Sequence, residues 1–523
     1  MRIAVLFFAM ALGVVAQGLD PGAILKAPTT TWPTYNGDYS GRRYSTLSQI
    51  NSGNVSRLAM AWAFQTHSDA LKSTPLEVSG ILYFTTPDNV WAIDARNGHL
   101  IWHYNRPSPG DHVGNRGVAM YKDRLYFGTP DAHLICLRAA NGTEIWDREI
   151  ADVKLGYYIS VAPLVVKDRL IIGTSGDQTD IPHFIAAIDP ETGRTIWRWN
   201  TVPAPGATGA NSWPDDEAMS HGGGPAWMTG TYDPELNLLY WGTGNPHPVL
   251  AGETRPGSNL YTCSIVALNP DTGKLIWYFQ PSPHDTHDWD AVETPVLFDS
   301  EFGGKRRKLL AQASRNGYFF LLDRATGEHL LTAPFVQSDW AKGLNARGEP
   351  IARTDKEPQA DGSLVEAYEE GATNWMAPSF DPETNLFYVN AFDGFMVYYL
   401  ALNENRKAEG HQGGAASSLW SRSFLAAIDY RTGRIRWCRD GGEGEGHPGI
   451  LTTSGRVLFT GDVSGNLLAL DPADGHTLWH INPGGSLGSS PMTYELDGRQ
   501  YLVTGVDSVL YAWALPASGS GRR

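Results

Sequence analysis

A ten-residue phrase recurs along this chain and limits the fold more than any other feature. It runs from an apolar strand end through an Asp or Asn, then a turn ending in Gly, then a Trp four residues past that Gly. It reads IDARNGHLIW at Ile93–Trp102, IDPETGRTIW at Ile188–Trp197 and LNPDTGKLIW at Leu268–Trp277. It returns as IDYRTGRIRW at Ile428–Trp437 and LDPADGHTLW at Leu470–Trp479. Looser copies are LRAANGTEIW at Leu137–Trp146 and LDRATGEHLL at Leu322–Leu331, the latter without its Trp. Such repetition means one supersecondary unit used again and again. The apolar residues before the turn make one strand. The N-G, T-G and D-G pairs supply the positive φ of a tight hairpin, and the Trp rides on the returning strand.

The spacing predicts the unit. Gly433 and Gly475 are 42 positions apart, and Gly98 and Gly142 are 44 apart. That is about the 40–45 residues of a four-stranded propeller blade. The longer step from Gly327 to Gly433 implies an insertion or a degenerate blade. Seven repeats give seven outer strands, and Leu58–Phe64 reads as an eighth without inner strands of its own. The missing ones read at the other end, as Ser490–Tyr494, Gln500–Gly505 and Ser508–Leu515. The expected fold is all-β, an eight-bladed propeller of four-stranded antiparallel blades. Pairing of N- and C-terminal strands would close the ring and hide its edge. An open β-solenoid and a seven-bladed ring are the competing architectures. Because the repeat spans most of the chain, residues 17–523 read as one domain.

The first residues, MRIAVLFFAMALGVVA, carry one Arg, a short apolar run and then small residues. This predicts a signal peptide over 1–16 and export to a periplasm, a membrane anchor being the competing reading. The net charge of −15 argues against nucleic acid and anionic membrane, and suits a basic partner. The three cysteines, Cys136, Cys263 and Cys438, leave at least one unpaired. There is no C-x-x-C-H, so no covalently attached haem is expected.

Three segments hold more polar chemistry than a blade needs: Gly222–Pro248, Pro283–Leu297 and Ser314–Gly317. The second places Asp285, Asp288 and Asp290 within six residues, beside His284 and His287. Carboxylates this dense repel unless a cation or protons join them, and oxygen-rich clusters suit hard cations such as Ca²⁺. A solvated acidic loop is the alternative. The His pair lacks the partners of a zinc site.

The chain resembles the quinoprotein alcohol dehydrogenases, the PQQ-dependent methanol and ethanol dehydrogenase family. The resemblance rests on WPTYNGDYSGRRYSTLSQINSGNVSRLAMAW near the start, then APLVVKDRLIIGTSG, YDPELNLLYWGTGNPHP, PHDTHDWD and SRNGYFFLLDR in the family's order. It implies PQQ, a metal ion (Ca²⁺, or a lanthanide), an alcohol substrate, and a separate cytochrome c or other electron acceptor. Residue by residue it implies Asn245 as a metal ligand and Asp288 as catalytic base and metal ligand. Asp290 falls where the lanthanide-using branch has an extra ligand. Aligning the Trp-Asp pairs instead makes Asp290 the catalytic residue. Arg315 matches the Arg at the quinone carbonyls and Arg116 one that pairs with a PQQ carboxylate. Ser160, Ser175, Gly176 and Asp177 fall in cofactor-contacting stretches. Trp227 matches the Trp under the PQQ ring, and Asn374 and Trp375 a further contact.

Several positions depart from the family pattern. Its adjacent cysteines are replaced by Pro109-Gly110-Asp111, a pocket Glu by Lys72, and a metal-ligand Glu by Gln178, which keeps an oxygen but no charge. The Thr before the pocket Trp is replaced near Pro225, and a pocket Trp aligns with His447. A non-catalytic propeller scaffold or binding module, and a drifted paralogue without turnover, stay open as alternatives. Oligomeric state and the particular alcohol are not legible.

Overall fold

A computed structural model describes residues 18–25, 29–110, 114–176, 180–368, 370–408, 410–446 and 448–516. The expected signal segment 1–16, and Asp111, Asp177, Gln178 and His447, lie outside the described residues. No described helix is long and apolar enough to cross a membrane.

Each full repeat forms a hairpin with the same irregularity. In the first, Ala92 faces Trp102, but Ile93 faces Leu100, so the register shifts by a bulge between the two pairs. Ala187 faces Trp197, Ala267 faces Trp277, Ala427 faces Trp437 and Ala469 faces Trp479, with the same shift after each. A small residue opposite leaves the indole free to reach the neighbouring sheet. There its Nε1 donates to a turn carbonyl: Trp62 to Ala95 O at 3.1 Å, Trp102 to Ala139 O at 2.9 Å, Trp197 to Pro270 O at 2.8 Å. Gly and Trp therefore recur together because they meet across sheets. A Cβ at Gly98 would sit 2.8 Å from Trp62, and its φ of +74 already disfavours a side chain. The same contact joins Gly142 to Trp102 and Gly273 to Trp197. In the copy that lacks its Trp, Gly433 of the next sheet meets Leu331 and Ala333 instead. Gly98→Ala is expected to destabilise the protein by about 1–3 kcal/mol. The chemical-unfolding midpoint checks this, and an unchanged midpoint would contradict the docking role.

The fold is a propeller-like array of four-stranded antiparallel sheets. The inner strands, such as Phe184–Ile188 and Leu238–Gly242, are wholly buried and apolar, as strands covered on both faces must be. The outer strand Thr195–Asn200 buries only Trp197 fully. Among the described residues, eight sheets have four or five strands. One of them joins the two ends of the chain: Ala59–Gln65 pairs antiparallel with Val509–Ala514, beyond which lie Arg499–Val506 and Met492–Leu496. A second tie is Tyr44–Ser45, which pairs parallel with Leu451–Thr453. The long step after Gly327 is an insertion. It holds a small hairpin, Ala341–Leu344 with Pro350–Ala352, and two overlong paired strands, Leu386–Leu400 and Gly414–Asp429.

Strand order decides where chemistry can collect. In a four-stranded meander, the turn between second and third strands and the connection to the next sheet leave from one end. The Gly turns of the repeat lie at the other. Asn245 and Arg315 sit in second-to-third turns; Lys72, Arg116, Tyr158, Trp227 and Asp288 sit in sheet-to-sheet connections. All of them line one cavity of about 390 Å³.

Candidate active site

The loop PHDTHDWD is shaped by its first aspartate. Asp285 Oδ2 accepts from the amides of Asp288 at 3.0 Å and Trp289 at 3.2 Å. The loop turns tightly enough to hold Asp288 at a φ of +67, a conformation Asp tolerates better than most residues. Burial raises the pKa of Asp285 to about 6, opposed by the charge of Arg255. Arg255 fastens this loop to the GTGNP loop, since one of its nitrogens donates to both Asp285 O at 2.6 Å and Val249 O at 2.7 Å. The acidic cluster is thus divided: Asp285 builds the loop, while Asp288 and Asp290 line the cavity. Both histidines turn away. His287 stacks on Trp289 with centroids 4.3 Å apart and hydrogen-bonds Lys356 O at 2.9 Å. His284 bonds Gly257 O at 2.8 Å.

Around the two cavity aspartates the contacts are dense. Arg315 lies 3.5 Å from Asp288 and 3.3 Å from Asp290. Burial opposes its charge, but Asp288, Asp290, Glu370 and Glu293 more than offset this, so its pKa is raised. Asp290 accepts from the Trp227 indole at 2.5 Å and from the Asn245 amide N–H at 2.6 Å. Its fit requires Gly244, where a Cβ would lie 2.6 Å from Asp290 Oδ1. One terminal atom of the Asn245 side-chain amide lies 2.9 Å from Asp290 Oδ1 and 3.2 Å from Asp288 Oδ1. With nitrogen there, the amide donates to both carboxylates. With oxygen there, three oxygens converge, which a cation or a shared proton would reconcile. The donor set fits a hard metal ion, although among the described residues no group of three His, Cys, Asp or Glu forms a cage by itself.

The opposite side of the cavity is cationic and aromatic. Arg116 lies 4.7 Å from the centre of the Trp227 ring and 5.8 Å from that of Trp375. Asn374 donates to Glu370 Oε2 at 2.9 Å and accepts from the Trp375 amide at 2.7 Å. Ser160 and Ser175 are buried with their hydroxyls 3.1 Å apart, and Ser160 also reaches Trp227 O at 3.4 Å. Neither is among the residues that line the cavity. Gly176 is buried beside Ser175. Indole faces and Arg groups beside an oxygen-lined pole suit a flat polycarboxylate dione.

Sequence reading missed Tyr158, His247, Val249, Glu370, Gln412 and Glu445, which also line the cavity. His247 stands two residues past Asn245, and Tyr158 two before Ser160, so proximity to a motif was a usable signal. Glu370 and Gln412 come from the insertion and had none.

A family model described as glucose/ethanol/alcohol dehydrogenase, beta-propeller domain, matches residues 32–360. The chain belongs to the PQQ-dependent alcohol dehydrogenase family. The quinoprotein alcohol dehydrogenase PedH of Pseudomonas putida is 36% identical over 92% of this chain and 86% of its own length. The crystal structure of the quinohemoprotein alcohol dehydrogenase from Comamonas testosteroni matches with a TM-score of 0.88 at 32% identity, covering 98% of this chain and 84% of that one. A europium-containing methanol dehydrogenase matches at 0.86 and 28% identity, covering 94% of this chain and 99% of that one. A second model, outer membrane protein assembly factor BamB, matches residues 421–518. Among the described residues of the cavity only Glu445 falls there. PQQ is the cofactor of this dehydrogenase family, an alcohol its substrate class, and an electron acceptor its redox partner.

Proposed function

We propose that this dehydrogenase works in a periplasm after removal of residues 1–16. Its eight sheets would be blades of one ring, closed by the pairing of Ala59–Gln65 with Val509–Ala514. The cavity would hold PQQ with one metal ion, and electrons would pass to a separate cytochrome c or similar acceptor. The observation that carries this reading is the meeting of the Asn245 amide with Asp288 and Asp290, bridged by Arg315, beside Trp227.

Asn245, Asp288 and Asp290 would hold the metal, with Gln178 a further candidate outside the described residues. Two carboxylates suit Ca²⁺ better than a trivalent lanthanide, whose higher charge calls for more anionic ligands. Trp227 would floor the cofactor and exclude water from one face. Arg116, Asn374 and Trp375 would contact its edge, and Ser160, Ser175, Gly176 and Asp177 are further candidates for cofactor contact.

When bound, PQQ would supply a two-electron acceptor for the alcohol, and a cation held by Asn245, Asp288 and Asp290 would supply Lewis acidity. Asp288 would accept the alcohol hydroxyl proton on its carboxylate. It suits that task better than Asp290, because 27% of its side chain is exposed into the cavity against 3%. Asp290, held in place by Trp227, Asn245 and Arg315, would serve as anchor and ligand. Arg315, held charged by both aspartates, would stabilise negative charge arising at the quinone oxygens.

Reconstitution tests the reading. Apoprotein is mixed with PQQ and either Ca²⁺ or La³⁺, and dye-linked oxidation of an alcohol panel is followed. Turnover that needs both PQQ and a metal, greater with Ca²⁺, is expected. Failure to bind PQQ would favour a scaffold, and binding without turnover a drifted paralogue.

A further inference from the structure

Lys72 enters the cavity from the connection between Ala59–Gln65 and Leu76–Val78. Its ammonium lies 5.9 Å from the centre of the Trp375 ring, and the Arg116 guanidinium lies 5.8 Å from the same ring. Two cations therefore share one aromatic wall. Burial lowers the Lys72 pKa, the charge of Arg116 lowers it further, and Glu370 only partly opposes them. The chain makes room for this side chain: at Gly114 a Cβ would stand 2.6 Å from Lys72 Cδ. Gly114 belongs to the same loop as Arg116, so one stretch of backbone seats both cations.

Like charges placed together in a half-buried wall repel unless an anion lies between them. The two poles of the cavity are opposite in kind. Asp288, Asp290 and Asn245 form one, rich in oxygen, with Arg315 against both carboxylates; Lys72 and Arg116 form the other, rich in positive charge, with Glu370 nearby. Trp227 connects them, its Nε1 on Asp290 and its ring beside Arg116. PQQ carries a dione and three carboxylates, one of them beside the ring nitrogen that adjoins the dione and two on the far edge. Where the family pattern has a Glu, this chain has a base.

We propose that Lys72 and Arg116 form a two-cation clamp for the carboxylate-bearing edge of PQQ, which fixes the direction in which the cofactor enters. This rests on the reading of the cavity as a PQQ site. In the clamp Lys72 is a cofactor-binding residue and takes no proton in turnover. Its ammonium acts as a point charge, which Arg keeps and a neutral residue does not.

The test is binding, read by quenching of tryptophan fluorescence as apoprotein with Ca²⁺ is titrated with PQQ. Lys72→Gln is expected to weaken PQQ roughly tenfold to a hundredfold. Lys72→Glu should weaken it more, and Lys72→Arg should stay near wild type. The affinity of Lys72→Gln should also depend less on salt. PQQ trimethyl ester, which lacks the negative charges, should bind wild type and Lys72→Gln alike; this also shows that the variant is folded. Equal PQQ affinity in wild type and Lys72→Gln would overturn the clamp alone. Wild-type protein that does not bind PQQ would overturn the reading of the cavity, and the clamp with it.

Discussion

Asp290→Ala protein is expected to contain essentially no bound metal, where the wild-type holoprotein contains about one ion per chain. Metal analysis after gel filtration measures this, and a normal content in the variant would refute the ligand role of Asp290. The expected loss is large because Asp290 is tied to three partners. Its removal takes one carboxylate from a pole that has two, and it strands the Trp227 N–H, the Asn245 N–H and one arm of Arg315. Breaking such a buried pair costs about 3–5 kcal/mol, so lost metal could reflect a disturbed fold. Asp290→Asn separates the causes. It keeps the volume and an acceptor oxygen but drops the charge. It should unfold near wild type and still lose most of its metal. Oxidation of alcohol should fall by roughly a thousandfold in either variant, as expected when a preorganised electrostatic element is removed.

Asp288→Asn should show the converse pattern. Turnover is expected to fall by about 10²–10⁴-fold, the share usually carried by a positioned general base. PQQ quenching should persist, because Trp227, Arg116 and Asp290 remain. The amide cannot take a hydroxyl proton, yet it fills the same space on a loop whose shape is set by Asp285 and not by Asp288 itself. If Asp288→Asn turned over at the wild-type rate while Asp290→Asn did not, the catalytic role would pass to Asp290. That is the assignment obtained by aligning the Trp-Asp pairs.

The architecture was legible because it is written several times over. Each full copy states the same local rules: an apolar strand, a Gly turn, an Ala opposite a Trp. The structure adds the reason for their company, since the Gly of one sheet rests on the Trp of its neighbour. The terminal pairing was also legible, because Trp62 lacked inner strands and the C-terminus had strands to spare. The candidate site was legible only through motif resemblance. GTGNP, PHDTHDWD and SRNG are far apart in sequence, and nothing in their spacing says that they meet. Glu370 and Gln412 were not legible at all, because they come from an insertion without periodicity.

Sequence alone determined the repeating unit, the chemistry-rich segments and the family they resemble. These depend on local conformation and on residue type, which neighbours along the chain can state. The tertiary structure decided which carboxylates face the cavity, that Asp285 shapes a loop, and that Lys72 stands beside Arg116. The reason is topological. Alternate connections of every meander leave from one end, so residues from many sheets gather there. The Gly turns that carry the visible repeat gather at the other end, away from the chemistry.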